Sequence, residues 1–170
     1  MRESPADDLG VIWLGKRKGI SYMSEKKYIG IERDTVKDWT EAIRLCGEVL
    51  IEQGYADESF ISGCLDRETE YPTGLPSAVP VAIPHCQCEG IKESSICILR
   101  LQKPVKFYRM DNSEAYVETK LIFNLAIKGS DAQLHYLQKL MAFVMDEEKM
   151  CACERGSMAS MLEFASRNLS

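Results

Sequence analysis

Residues 71–85 read YPTGLPSAVPVAIPH. Prolines at 72, 76, 80 and 84, together with Gly74, exclude a helix and predict an extended, pre-ordered segment. Within it 81–83, VAI, is a short apolar run that suits a buried strand, and His85 follows directly after Pro84. Two stretches downstream share this character. Residues 95–101, SICILRL, are dense in strand formers, and 119–127, TKLIFNLAI, place Leu121, Phe123, Leu125 and Ile127 on one face at period two. Upstream, 28–32, YIGIE, predicts one more short strand.

Helical signals lie on both sides of these strands. Asp38 with Glu41 three residues on marks a helix start. Trp39, Ala42, Ile43, Cys46, Val49 and Leu50 continue it as an apolar stripe, and Gly54 ends it. Asp57 caps a second helix running to about Glu68, with Phe60, Ile61, Cys64 and Leu65 inward. Ser130 and Gln133 read as a capping box for a third, ending near Met145, with Leu134, Leu137, Leu140, Met141 and Val144 as its stripe and His135 in its first turn. A short segment at 146–154 leads to a last helix capped by Ser157. Strands and helices in this order predict an α/β domain with helices covering both faces of a sheet.

At 170 residues the chain has the length of one domain. Residues 1–27 hold six Lys/Arg against four acids and read as an N-terminal extension, expected to be flexible, before a domain at 28–170. A basic tail suits contact with a membrane surface or a partner; a frayed end is the simpler reading. Its start, MRESPADDLG, lacks the apolar core of a signal peptide. The net charge of −5 disfavours a nucleic-acid binder, which normally needs a basic face. No apolar run is long enough to span a bilayer. Seven cysteines, an odd number, argue against a disulfide framework and for a reducing cytoplasm.

Chemistry rests on few residues. His85 and His135 are the only imidazoles. A histidine held rigidly at a strand end suits a nucleophile or proton carrier; a loop histidine without a role fits the same pattern equally well. Cys86-Gln-Cys88 and Cys151-Ala-Cys153, with His85, contain enough donors for zinc, although C-x-C is not the usual spacing and both pairs would have to converge. A Cys86–His85 dyad is weaker, since neighbours on an extended chain point to opposite sides. Arg67 and Glu68, just before the proline-rich segment, read most simply as an exposed charge pair.

Ala82-Ile83-Pro84-His85 resembles the A-[apolar]-P-H signature of enzyme IIA of the bacterial sugar phosphotransferase system, mannitol/fructose class. Arg67-Glu68 matches that family's Arg-Glu pair, and His135 in HYLQKL resembles its second histidine, early in a later helix. The likeness covers roughly 28–168. Within the class PTGLP at 72–76, PVKF at 104–107 and LQKLM at 137–141 are similar to galactitol-type components. Cys86 departs from the pattern, standing where the family usually has Gly or Thr.

The resemblance implies a three-layer α/β/α sandwich with a mixed β-sheet flanked by helices. It implies that His85 accepts a phosphoryl group from the phosphocarrier protein HPr and passes it to a cysteine of a cognate enzyme IIB, with enzyme IIC involved only indirectly. Arg67 would hold the phosphoryl oxygens, His135 would donate to them or orient His85, and no metal or cofactor is required. A regulatory domain whose phosphorylation is read by other proteins would carry the same residues. A zinc module is the more distant reading.

Overall fold

The computed structural model describes residues 12–17, 20–25 and 27–169. The element that carries His85 is short. Strand β5 (Val81–Ala82) pairs in parallel with β7 (Tyr116–Ala126), and β4 (Gly74–Leu75) flanks it antiparallel. On the other side of β7 runs β6 (Ser95–Tyr108), antiparallel to it, and then β3 (Tyr28–Arg33), parallel to β6. With β1 (Ile12–Arg17) and β2 (Ile20–Glu25), the described sheet has the order β1-β2-β3-β6-β7-β5-β4. It is mixed, as expected. The predicted strands at 95–101 and 119–127 both extend further, because β6 and β7 continue as a hairpin past an irregularity between Arg100 and Val105.

Helices cover both faces. On one lie α1 (Trp39–Glu52) and α2 (Glu58–Glu70), and their core joins Ile43, Leu50 and Phe60 to Leu99 and Phe107 of the sheet. On the other lie α3 (Ser130–Val144), α4 (Glu147–Arg155) and α5 (Met158–Leu169), packed on Ile96, Ile98, Leu121 and Phe123. Fully burying one such side chain is worth about 1.5–3 kcal/mol, so the sandwich holds the sheet's strand ends in fixed register. The three-layer α/β/α arrangement is therefore the fold of this chain.

Several caps follow the expected chemistry. The Asp38 carboxylate accepts from Glu41 N (3.0 Å), and the Asp57 carboxylate accepts from Ser59 N (2.9 Å). Ser157 Oγ accepts from Ser160 N at the start of α5. Asp57 also ties α2 to the segment after His85: its amide donates to Gly90 O (2.9 Å), and a Cβ at Gly90 would lie 1.9 Å from Asp57 Oδ1. Only glycine allows that approach.

Three expectations change. Ser130 is not a capping residue: the N-cap of α3 is Gly129 at φ 93°, with no side-chain cap bond, which removes the predicted box. His135 therefore sits in the second turn rather than the first. Leu134, expected in the core, is 59% exposed, while Phe143, absent from the predicted stripe, is buried. The cause is how α3 docks, since its buried residues, Leu140, Phe143 and Val144, all belong to its C-terminal half. Phe143 makes an edge contact with Phe123 there, with ring centroids 6.4 Å apart. Finally, part of the range read as a flexible extension is paired backbone: 12–17 and 20–25 form an antiparallel pair that continues the sheet beyond β3. Without β2, β3 would present an unpaired edge. Residues 1–11 of that extension lie outside the described residues.

Candidate active site

His85 stands where β5 runs out beside β7. Leu125 N donates to Pro84 O (2.9 Å), and His85 forms an isolated bridge with Leu125, so the backbone on both sides of the ring is fixed to a central strand. The segment after it is tethered to α3, with Gln133 Nε2 donating to Cys86 O (3.1 Å) and Gln87 Nε2 reaching Ile127 O and Gly129 O (both 3.4 Å).

The ring is half-buried, and one of its nitrogens is committed. His85 Nδ1 lies 2.7 Å from Ile83 O. A carbonyl only accepts, so Nδ1 carries the proton and Nε2 keeps its lone pair. Burial and, secondarily, the positive charge of Arg67 lower the imidazole's pKa below its ordinary value, against the opposing effect of the Ile83 bond. The ring is thus neutral near pH 7, the form that can act as a nucleophile.

Arg67, in the last turn of α2, is exposed, and its guanidinium carbon lies 4.9 Å from the centroid of Tyr71. Among the described residues it makes no ion pair, in contrast to Arg100, which is spent on Glu32 and on the carbonyls of Cys153 and Gly156. Stacking on Tyr71 leaves the planar edge of Arg67 able to receive an anion. The structure brings Arg67 and His85 into one electrostatic neighbourhood.

It does not join His135 to them. His135 is exposed on α3 and makes no hydrogen bond to His85 among the described residues. Its neighbour Tyr136 is half-buried, its hydroxyl hydrogen-bonded to that of Tyr28 on β3, so this turn of α3 is anchored while His135 stays open to solvent.

Sequence reasoning missed Glu68. Paired with Arg67 in the sequence, it reads as an exposed charge. It is 4% exposed, and its two oxygens accept from Thr73 N and Thr73 Oγ1, each at 2.8 Å. Thr73 Oγ1 in turn accepts from Ile83 N (3.1 Å). Burial pushes the Glu68 carboxyl up to about 7, against these two bonds. The one signal in the sequence was spacing: Glu68 lies one helical turn before the break at Pro72, where only one of two adjacent side chains can face out.

The thiols divide between the layers. Cys86 packs with Cys64 in the α1–α2 core, whereas Cys153 belongs to the α3–α5 core. The two C-x-C pairs therefore lie on opposite sides of the sheet, and the zinc arrangement with His85 does not assemble. All seven cysteines are free thiols. Cys86 Sγ points towards Phe60 O (3.6 Å), beneath the loop and away from a shared dyad with His85.

A mixed sheet covered on both faces, with one half-buried neutral imidazole presented at a strand end, defines an α/β/α domain built around a histidine. The chain belongs to the family described as phosphoenolpyruvate-dependent sugar phosphotransferase system, EIIA 2, whose model matches residues 23–160. It is 29% identical over 104 residues to the galactitol-specific EIIA component of Escherichia coli K12, covering 61% of this chain and 69% of that one. It is 29% identical over 119 residues to the mannitol-specific enzyme IIA component of Bacillus subtilis, covering 68% and 77%. The fold is similar to that of enzyme IIA in the solved complex of mannitol enzyme IIA with phosphorylated enzyme IIB from E. coli: TM-score 0.66, 19% identity, 85% of this chain and 97% of that one. Among the described residues no helix is long and apolar enough to cross a membrane.

Proposed function

We infer that this chain is a phosphocarrier: His85 accepts a phosphoryl group from phospho-HPr and hands it to a cysteine of a cognate enzyme IIB in the cytoplasm. Family membership supports the phosphotransferase class, and the solved relative bound to phosphorylated enzyme IIB supports that partner. The observation that carries the reading is the hydrogen bond from His85 Nδ1 to Ile83 O, which leaves Nε2 as the free nucleophile. In the transfer Nε2 attacks phosphorus as the bond to the HPr nitrogen breaks. Arg67 then stabilises the equatorial oxygens through its fork, and His135 is drawn in as a second donor when the phosphoryl group arrives. The tethered loop keeps Nε2 preset for in-line attack, and the protein needs no metal for these steps. The likeness to a galactitol component favours galactitol as the sugar moved by the membrane partner.

The test is phosphorylation from phosphoenolpyruvate through enzyme I and HPr. One acid-labile, base-stable phosphoryl group per chain is expected, lost in His85→Ala and transferable to enzyme IIB. Label on a cysteine, or label retained in His85→Ala, would overturn the reading.

A further inference from the structure

A buried carboxylate with no cation beside it is an expensive way to hold a loop. Glu68 is 4% exposed, and no Lys or Arg pairs with it among the described residues. Both its bonds go to one residue, Thr73. For fastening a chain crossing alone, an amide or an apolar pair would avoid the desolvation penalty of a charge.

What the carboxylate supplies is direction. Above about pH 7 the Glu68 carboxyl is ionised, and an ionised carboxylate only accepts. It therefore takes the Thr73 hydroxyl proton and turns the lone pairs of Thr73 Oγ1 towards Ile83 N, which donates to them at 3.1 Å. Ile83 is then held at both ends, its amide by Thr73 and its carbonyl by His85 Nδ1 (2.7 Å). On one side of it β5 is paired to β7; on the other Pro84 O receives Leu125 N. Every polar group from Glu68 to the ring is thus given a single sense of donation.

We propose that Glu68, acting through Thr73 and the backbone of Ile83, is a positioning residue that holds His85 in the Nδ1–H tautomer and so keeps Nε2 free. This rests on the phosphocarrier reading for its consequence but not for its observable, because the tautomer exists before any phosphoryl group arrives. Free imidazole side chains favour the other tautomer, with the proton on Nε2. A loosened Ile83 carbonyl releases Nδ1, and the proton shifts to the nitrogen that must attack.

The experiment is ¹⁵N NMR of the His85 ring in the unphosphorylated full chain at pH 8, alongside the phosphorylation rate from phospho-HPr. Wild type is expected to show Nδ1 protonated and Nε2 bare. Thr73→Val and Glu68→Gln are expected to raise the Nε2–H population and to slow phosphorylation roughly tenfold or more. Thr73→Ser, which keeps the hydroxyl, is expected to restore both. Wild-type protein with the proton on Nε2 would overturn the proposal without any variant, so a variant that fails to fold does not protect it. Folded Thr73→Val and Glu68→Gln proteins with an unchanged tautomer would overturn it as well. A tautomer shift in protein that takes up no label from phospho-HPr would sustain the positioning role and defeat the phosphocarrier reading instead.

Discussion

His85 and His135 are the chain's two imidazoles, and they are held in opposite ways. His85 is half-buried between a central strand and a proline-rich segment, with its ring bonded to the backbone two residues back. His135 projects from the exposed N-terminal half of α3, whose inward residues come only later in the helix. A nucleophile gains from a ring whose tautomer and direction are set before the partner arrives, because the entropy of placing it has been spent in folding. A second donor has a different requirement. It must meet an anion that is not yet present, and an exposed side chain on an anchored helix can move onto it.

Deleting each imidazole in turn should give the widest separation. His85→Ala is expected to reduce labelling to background, while His135→Ala remains labelled at His85 with a rate lowered by about tenfold to a hundredfold, one or two lost donor interactions. Equal loss in both variants, measured with labelled phosphoenolpyruvate, would erase the distinction between them.

Next in size is a pH dependence of stability on the His85 side of the molecule. Glu68 is pushed up to about 7 by burial, from an ordinary value of 4.5. The folded chain therefore binds the extra proton between those values. The sign is that stability is greatest below about 4.5 and falls as pH rises towards 7, by on the order of 3 kcal/mol from this group. His85 acts oppositely, since its lowered pKa makes stability rise as pH climbs towards 6.5. Urea unfolding from pH 4.5 to 8 in wild type and Glu68→Gln separates the two, and the variant should lose the decline. Parallel curves would show that Glu68 titrates normally.

Arg67 is exposed like His135, and under the proposed transfer it acts beside His85. Arg67→Lys keeps the charge and loses the planar fork, and phosphorylation should slow by about a hundredfold, about 3 kcal/mol, with the melting temperature unchanged. A wild-type rate would reduce Arg67 to a stacking partner of Tyr71. The smallest effect is expected at Leu134, 59% exposed on α3 next to the Gln133 that ties Cys86 O. Leu134→Asp should change stability by no more than about 0.5 kcal/mol. It should slow transfer from phospho-HPr severalfold, as a lost apolar docking contact does, if this part of α3 meets the partner. Stopped-flow transfer kinetics at two HPr concentrations check it.

Much of this was legible in the residues. The period-two run at 119–127, the capping aspartates at 38 and 57 and the prolines around 81–83 all act locally, and each produced the predicted element. What escaped were properties set by docking. α3 has an apolar stripe along its whole length, but its fully buried residues all lie in its C-terminal half, so Leu134 is outside and Phe143 inside. The backbones at 12–17 and 20–25 are paired because the open edge of β3 needs a partner, which no local pattern announces. Arg67, His85 and His135 were named together only through the family resemblance, and in the structure His135 stands apart, exposed on α3. Glu68 was not readable, because adjacent charges look alike in a sequence and only the turn at Pro72 decides which one is buried. The C-x-C pairs offered donors for a distant zinc reading, and the sheet that separates Cys86 from Cys153 removes it.

The central claim is that the phosphoryl group goes to one particular nitrogen. Long-range ¹H–¹⁵N correlation spectra of the protein phosphorylated through enzyme I and HPr measure this directly. The account predicts a single phosphohistidine, His85, substituted at Nε2 with Nδ1 still protonated and bonded to Ile83 O. Phosphorus on His85 Nδ1, on His135 or on Cys86 would contradict it.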